Sequence, residues 1–397
     1  MSSQHPGLSA LLERGFVLLD GAQGTELEQR GVNLGGSKLW SAQLLIDDPA
    51  MIREVHLDYL RAGSDVITTF TYQASIPGFA AAGVDAAAAA ALLNRAVDLA
   101  AEAREAFLAE RAEAAAASDT SGGAATNGGE VAAAEPPQPM SGRPLIAYSC
   151  GSYGGYLADG SEFRGDYAES TSLDQLMEFH RTRLEPVRHR TDIDLLAFET
   201  IPCLKEAEAI VALLRRERYG KPAWISFSCR DALHTCRGEG FARDCVPMLA
   251  AAAAEGLVAA AGVNCTAPRH VGPLLAAARE QLSALSSVPI PTTTAGGGGA
   301  LPPPPHSLLL LCYPNSGEDW DGEHRCWRHS PDDISEPGCF ARAAIDWVRG
   351  PAGVRLVGGC CRTGPGHIRA MRAALAAPAA AGGVSGGDGA GDGAGGG

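Results

Sequence analysis

Eight short apolar runs punctuate this 397-residue chain, near residues 16, 65, 144, 194, 223, 260, 308 and 355, and a helix or helix-length segment follows each one. A run such as Phe16–Leu19 has the length of a strand buried on both faces, the form that parallel sheets use. Eight strand–helix units are the number that closes a (β/α)8 barrel. The helical segments carry their own punctuation. After the first strand, Asp48 is placed to cap a helix, Pro49 opens it, Ile52, Val55, Tyr59 and Leu60 fall at helical spacing, and Gly63 ends it. Further helices are expected near Ser172–His189, Leu204–Arg216 and Phe340–Val348, and a closing helix near Pro365 places Ile368, Met371 and Leu375 on one face. The alanine-rich stretch Ala86–Ala117 reads as a solvated helix without a binding role.

The expected fold is therefore α/β, a single-domain (β/α)8 TIM barrel over residues 15–376, preceded by an N-terminal tail of residues 1–14. Low-complexity segments at about 114–143 and 286–306 lack periodicity and cannot bury enough apolar surface to repay the entropy of ordering. Both are expected to be disordered insertions, as is the Gly/Ala-rich tail 377–397. No Gly-x-Gly-x-x-Gly follows the first strand and no phosphate loop appears, which argues against a dinucleotide enzyme. A net charge of −14 argues against nucleic acid or an anionic membrane as partner. No run approaches the roughly 18 uninterrupted apolar residues of a membrane span. The first fifteen residues have no basic start with a long apolar segment, and they are Arg-poor, so a cytoplasmic location is expected. Eleven cysteines without framework spacing are then expected to be free, catalytic or metal-bound.

Barrel active sites lie at the carboxyl ends of the strands. Asp20, Thr69, Glu199, Cys265, Asn315 and the pair Cys360-Cys361 all fall at or just beyond such ends. Adjacent cysteines cannot share one face of a regular strand, because successive side chains alternate. In a loop opened by Gly358-Gly359, both sulfurs could reach one metal ion, with Cys265 as the third donor. Three thiolates and an open fourth position make the catalytic rather than the structural zinc pattern. Such a site carries one net negative charge. A substrate thiolate would bring it to two and stay electron-rich, while the metal lets the thiol ionise near neutral pH. Asp20 and Glu199 could clamp an ammonium, and backbone N–H groups after Asp20 a carboxylate. Together these features favour an amino-acid thiol as substrate.

Each feature has a plainer reading. Cysteines in apolar runs are usually inert core residues, and Cys150, Cys229 and Cys312 are read that way. A carboxylate after a buried strand, such as Asp20 or Glu199, can simply cap the next helix. Cys203 either faces the pocket or starts a helix, and His180 and His189 are read as structural. His324, Cys326 and His329 form a rival cluster whose charged, turn-like neighbours read as a solvated loop.

Six stretches occurring in order, Asp20-Gly-Ala-Gln-Gly-Thr-Glu-Leu, Thr68-Thr-Phe-Thr-Tyr-Gln-Ala-Ser, Phe198-Glu-Thr-Ile-Pro, Gly262-Val-Asn-Cys-Thr, Tyr313-Pro-Asn-Ser-Gly-Glu and Gly358-Gly-Cys-Cys-Arg-Thr-Gly-Pro, resemble the homocysteine S-methyltransferase family, most of all its S-methylmethionine-using branch. The resemblance implies a zinc-dependent barrel in which Cys265, Cys360 and Cys361 are the ligands. Asp20 and Glu199 would hold the homocysteine amino group, Gly21 and Ala22 its carboxylate through backbone N–H, and the homocysteine sulfur would take the fourth position. In a related betaine-using branch a tyrosine that can ligate zinc follows the glutamate; here Thr200 stands at that place.

The implied reaction is direct, in-line methyl transfer from a sulfonium donor, S-methylmethionine or S-adenosylmethionine, to zinc-bound homocysteine, forming methionine. A neutral leaving thioether needs no general acid. The donor is expected over the zinc, with Tyr72, Gln73, Asn315, Glu318 and Trp320 as candidates to line its pocket, since aromatic faces and carboxylates suit a sulfonium cation. The partners would be these small molecules, and the oligomeric state stays open. Selenocysteine is an alternative acceptor. A non-catalytic zinc-binding or redox-sensing barrel is the alternative of another class.

Overall fold

Strands β1 (Val17–Leu18), β2 (Val66–Thr68), β3 (Leu145–Gly151), β4 (Leu195–Ile201), β5 (Ala223–Phe227), β6 (Val258–Asn264), β7 (Leu309–Tyr313) and β8 (Leu356–Val357) stand where the eight apolar runs placed them. All pair in parallel, in the order β1-β8-β7-β6-β5-β4-β3-β2, and a parallel bridge from Leu19 to Val66 joins the two ends into a ring. This is the expected (β/α)8 barrel. The computed structural model describes residues 6–36, 39–121, 142–287, 308–321, 326–330 and 333–377.

The alternation of side chains divides the core into two layers. Val17, Leu19, Val66, Leu145, Ala147, Leu195, Ala197, Trp224, Ala260, Leu311, Tyr313 and Leu356 pack inside the ring. Their chain neighbours, among them Leu18, Ile67, Ile146, Phe198, Ile225, Val263 and Cys312, pack outward against the helices. Cys150 and Cys312 thus belong to the outer layer, fully buried, in agreement with an inert role. At Gly262 a Cβ would lie 1.8 Å from the Leu311 carbonyl oxygen, so only glycine lets β6 approach β7 this closely.

Three segments differ from the sequence reading. Residues Pro6–Leu12, expected as tail, form a helix whose Leu8 and Leu11 join the inner cluster at the amino end of the barrel. Burying such a leucine stabilises by roughly 1.5–3 kcal/mol, enough to order a short segment that would not hold as an isolated helix. The alanine-rich helix runs over Ala86–Ser121, so the start of the insertion expected at 114 is helical. It is not merely solvated either, because Ala89, Leu93, Ala96, Val97, Ala100, Ala103 and Phe107 are buried in the outer layer. An antiparallel pair, Asp319–Asp321 with Cys326–Arg328, follows β7. The remainder of the expected insertions, residues 122–141 and 288–306, and the tail 378–397 lie outside the described residues.

Helix punctuation follows the sequence. Asp48 accepts from the Met51 N–H at 3.1 Å, and Ser172 and Gln175 cap Leu173–Leu184 reciprocally. At the amino ends of two strands, acids pair with arginine. Asp65 meets Arg14 at 2.7 Å and Arg372 at 2.6 Å, and accepts the Leu18 N–H at 2.8 Å. Asp194 meets Arg104 at 3.0 Å and accepts the Ile146 N–H at 2.8 Å. Among the described residues no helix is long and apolar enough to cross a membrane.

Candidate functional site

Cys265 is the first residue beyond β6, and its φ of 45° turns the chain in the left-handed region. Such a conformation is uncommon for a residue with a Cβ and marks a place where the surroundings override local preference. Cys360 and Cys361 leave β8 in a loop pinned on both sides. The Cys360 N–H donates to the Pro314 carbonyl at 2.8 Å, the Ser316 N–H to the Cys361 carbonyl at 3.1 Å, and the Arg362 N–H to Thr25 Oγ1 at 2.9 Å. At Gly359 a Cβ would fall 2.2 Å from Thr363 Oγ1, which explains the glycine.

These turns bring three sulfurs together. Cys265 Sγ lies 2.6 Å from Cys360 Sγ and 3.9 Å from Cys361 Sγ, and all three fall within 4.8 Å of one another. Among the described residues no other group of three His, Cys, Asp or Glu side chains converges in this way. A tetrahedron of Zn–S bonds has S–S edges of about 3.8 Å. The Cys265–Cys361 spacing matches that edge, and the Cys265–Cys360 spacing is tighter than it. Three soft thiol donors are the set that selects zinc over harder ions. The thiols of Cys265 and Cys360 hold Cys361 well below the ordinary thiol range by donating to it, and Cys265, as a donor, is pushed well above.

Facing the sulfurs are two buried carboxylates. Asp20 Oδ2 accepts the Thr68 N–H at 2.7 Å and the Thr68 hydroxyl at 2.9 Å. Burial pushes Asp20 up to about 8, against these hydrogen bonds, which pull it down, and the Glu199 charge adds to the rise. Glu199 accepts from the Ser149 hydroxyl and, at 3.1 Å, from the Tyr313 hydroxyl. Burial raises its pKa as well. Tyr313 is held from inside the barrel by Trp224 Nε1–H at 3.1 Å and Ser226 Oγ at 2.5 Å. The Asn264 side chain joins the carboxylate strand to the thiol strand. It accepts the Thr200 N–H at 2.8 Å and donates to Thr200 Oγ1 at 2.8 Å, just beyond Glu199 and just before Cys265.

A cavity of about 640 Å³ at the carboxyl end of the barrel contains all of these groups. Asp20, Glu199, Glu162, Cys265, Cys360 and Cys361 line it, and among the described residues no Lys, Arg or His does. Such a site attracts cations.

Of the residues expected to bind an amino-acid carboxylate, Gly21 and Ala22 both line the cavity. The Ala22 N–H already donates to the Thr363 carbonyl at 2.9 Å, which leaves the Gly21 N–H as the free backbone donor of the two. Tyr72 and Gln73 also line the cavity, whereas Asn315 and Glu318 do not. Glu318 is instead paired with Arg362 at 2.9 Å and accepts from Ser316 Oγ at 2.9 Å, so its charge is spent on holding the cysteine loop. The side chain of Trp320 lies outside the described residues. Thr69 is fully buried beneath the site, and its neighbour Thr68 supplies the contact to Asp20.

Cys203 is buried at the start of helix Leu204–Glu217, away from the cavity. His180 is buried against Glu206 at 2.8 Å, and His189 is exposed past its helix. His329 pairs with Asp333 on the surface, while His324 and the Cys326 side chain lie outside the described residues. Sequence reasoning missed Trp40, Ser149, Glu162, Phe163 and Trp224 as lining residues. Ser149 and Trp224 sit within apolar strands, where the alternation of side chains was the available signal.

Known proteins resemble this chain in sequence and in fold. Residues 17–375 match the family model described as homocysteine S-methyltransferase. Over 372 residues the chain is 40% identical to the homocysteine S-methyltransferase of Escherichia coli, covering 94% of this chain and 99% of that one. It is 39% identical over 360 residues to the homocysteine S-methyltransferase YbgG of Bacillus subtilis, covering 90% of this chain and 94% of the other. The crystal structure of the metallated form of the homocysteine methyltransferase MmuM from Escherichia coli superposes with a TM-score of 0.67 at 37% identity, covering 92% of this chain and 99% of that one. Barrel, thiol trio and matched length lead to one assignment: this chain belongs to the homocysteine S-methyltransferase family.

Proposed function

We propose that this protein transfers a methyl group from a sulfonium donor, S-methylmethionine in the first place, to the sulfur of homocysteine. The observation that carries the reading is the convergence of three thiols on a cavity that three carboxylates also line. Cys265, Cys360 and Cys361 would hold Zn2+, as the relative with a metallated form supports for a metal. When bound, zinc supplies the positive charge that lets a substrate thiol ionise near neutral pH.

The chain's own residues then bind and orient. Asp20 and Glu199 receive the homocysteine ammonium, their oxygens aimed by Thr68, Ser149 and Tyr313. The Gly21 N–H faces the substrate carboxylate. Leu19, Leu34, Trp40 and Phe163 on the cavity wall exclude water around the reacting sulfur. With its proton already lost, that sulfur attacks the methyl carbon in line. The bond from the methyl to the donor sulfur breaks, and its electron pair stays on the departing atom. A neutral thioether leaves, so no acid is needed.

The test is methionine formation by zinc-loaded protein given homocysteine with S-methylmethionine, S-adenosylmethionine or betaine, and given selenocysteine as a competing acceptor. Turnover is expected with the sulfonium donors and not with betaine. A protein that binds one zinc tightly and turns over no pair would return the reading to a non-catalytic metal-binding barrel.

A further inference from the structure

Glu162 is the acid in the cavity that has no assigned work. It sits in the turn Ser161–Phe163, in the segment after β3. The turn is fixed in place: Ser228 Oγ donates to the Glu162 carbonyl at 2.8 Å, and a Cβ at Gly154 would lie 2.4 Å from the Glu162 nitrogen. One oxygen of its carboxylate, by contrast, is unsatisfied. Glu162 Oε2 is buried with no hydrogen-bond partner, and no ion pair forms to it among the described residues. The adjacent Arg164 is turned toward Asp166 at 2.9 Å and Asp159 at 3.7 Å. A buried, unpaired carboxylate is costly, and proteins rarely leave one without a ligand to meet it.

We infer that Glu162, together with the aromatic faces of Tyr72, Trp40 and Phe163, recognises the positive charge of the methyl donor; the inference rests on the transferase reading above. Asp20 and Glu199 have their own hydroxyl and N–H donors, and an acceptor ammonium uses both. Glu162 and Tyr72 line the same cavity as the three thiols, so a cation held against the aromatic wall is within the reach of this carboxylate. Phe163, 48% exposed, marks the mouth of the cavity. A donor entering there brings its sulfonium between carboxylate and rings, a setting that favours a cation. In-line transfer requires the donor sulfur on the side of the methyl away from the homocysteine sulfur, which a donor entering from the mouth would satisfy.

The kinetic signature follows from where the charge goes. The sulfonium loses its positive charge as the methyl departs, so the attraction to Glu162 is stronger in the ground state than in the transition state. Removing it weakens donor binding without slowing the chemical step.

The experiment compares Glu162→Gln and Glu162→Asp with the parent, all zinc-loaded, by steady-state kinetics and by calorimetric titration with S-methylmethionine and with methionine. Methionine has the same skeleton without the positive sulfur. Glu162→Gln is expected to raise the donor KM about tenfold or more, with kcat equal or higher, and with homocysteine KM and bound zinc as in the parent. Its preference for S-methylmethionine over methionine should shrink by the same factor, and Glu162→Asp should recover part of it. An unchanged donor KM, or a shift in homocysteine KM instead, would overturn the assignment. A parent protein with no turnover would remove the transferase reading itself, which the variants cannot do.

Discussion

The two ends of the barrel use acids in opposite ways. At the amino end, Asp65 lies between Arg14 and Arg372, and Asp194 beside Arg104, so each charge is neutralised where it stands. At the carboxyl end, Asp20 and Glu199 accept from N–H groups and hydroxyls, and Glu162 Oε2 has no partner among the described residues. The same residue type closes the structure at one end and, on the proposed reading, would meet a substrate cation at the other. An arginine partner makes a carboxylate part of the fold, whereas acids that converge on a cavity without one are candidates for binding.

The comparison breaks most sharply at the thiols. Cys361→Ser is expected to lower methionine formation by at least about 1,000-fold, roughly 4 kcal/mol of barrier, with metal content per chain falling well below one. Retained zinc and activity would show that the other two sulfurs suffice. Asp65→Asn should act on the other end. It leaves Arg372 buried without the carboxylate that neutralises it, so unfolding in urea should show a loss of about 3–5 kcal/mol, with homocysteine KM unchanged.

Asp20 gives a dependence on pH. Its folded pKa of about 8 lies above the ordinary 3.8, so between these values the folded state keeps a proton that the unfolded chain releases. Stability of the metal-free protein should therefore fall as pH rises through that window, by on the order of a few kcal/mol, and level off above it. Denaturant titrations across pH should show this slope in the parent and a shallower one in Asp20→Asn, the remainder coming from groups such as Glu199 that burial also raises.

Glu199→Gln should raise homocysteine KM by about 10–100-fold while zinc content, measured on the same samples, stays at the parent value. The smallest effect is expected from Tyr313→Phe. It removes one donor to Glu199 and strands Trp224 Nε1, which should cost about 1 kcal/mol in stability and a few-fold in homocysteine KM. A larger change in KM than in stability would place Tyr313 on the binding side of the comparison.

Much of this was legible along the chain. Runs such as Leu195–Ile201 are apolar at nearly every position because the strand is buried on both faces, and the thiol trio could be read from two glycines, a doubled cysteine and a strand end. Asp20 and Glu199 were legible by position alone. Other residues were not. Asn315 and Glu318 share a motif with Tyr313, yet chain proximity put them on the donor pocket when Glu318 is held by Arg362, 44 residues away. Leu8 and Leu11 read as tail because a seven-residue helix has no stability of its own to signal.

What the sequence by itself determined is the set of local facts: the period of burial, the number of strand–helix units, the caps, and which chemical groups end each strand. These depend on neighbours a few residues apart. Which acids would be paired and which left open was decided only by the tertiary structure, because their partners lie far along the chain. Thr68 reaches Asp20 across 48 residues, Tyr313 reaches Glu199 across 114, and Arg372 reaches Asp65 from the closing helix. No periodicity records such pairings. They exist once the ring closes and brings the end of every strand to one rim.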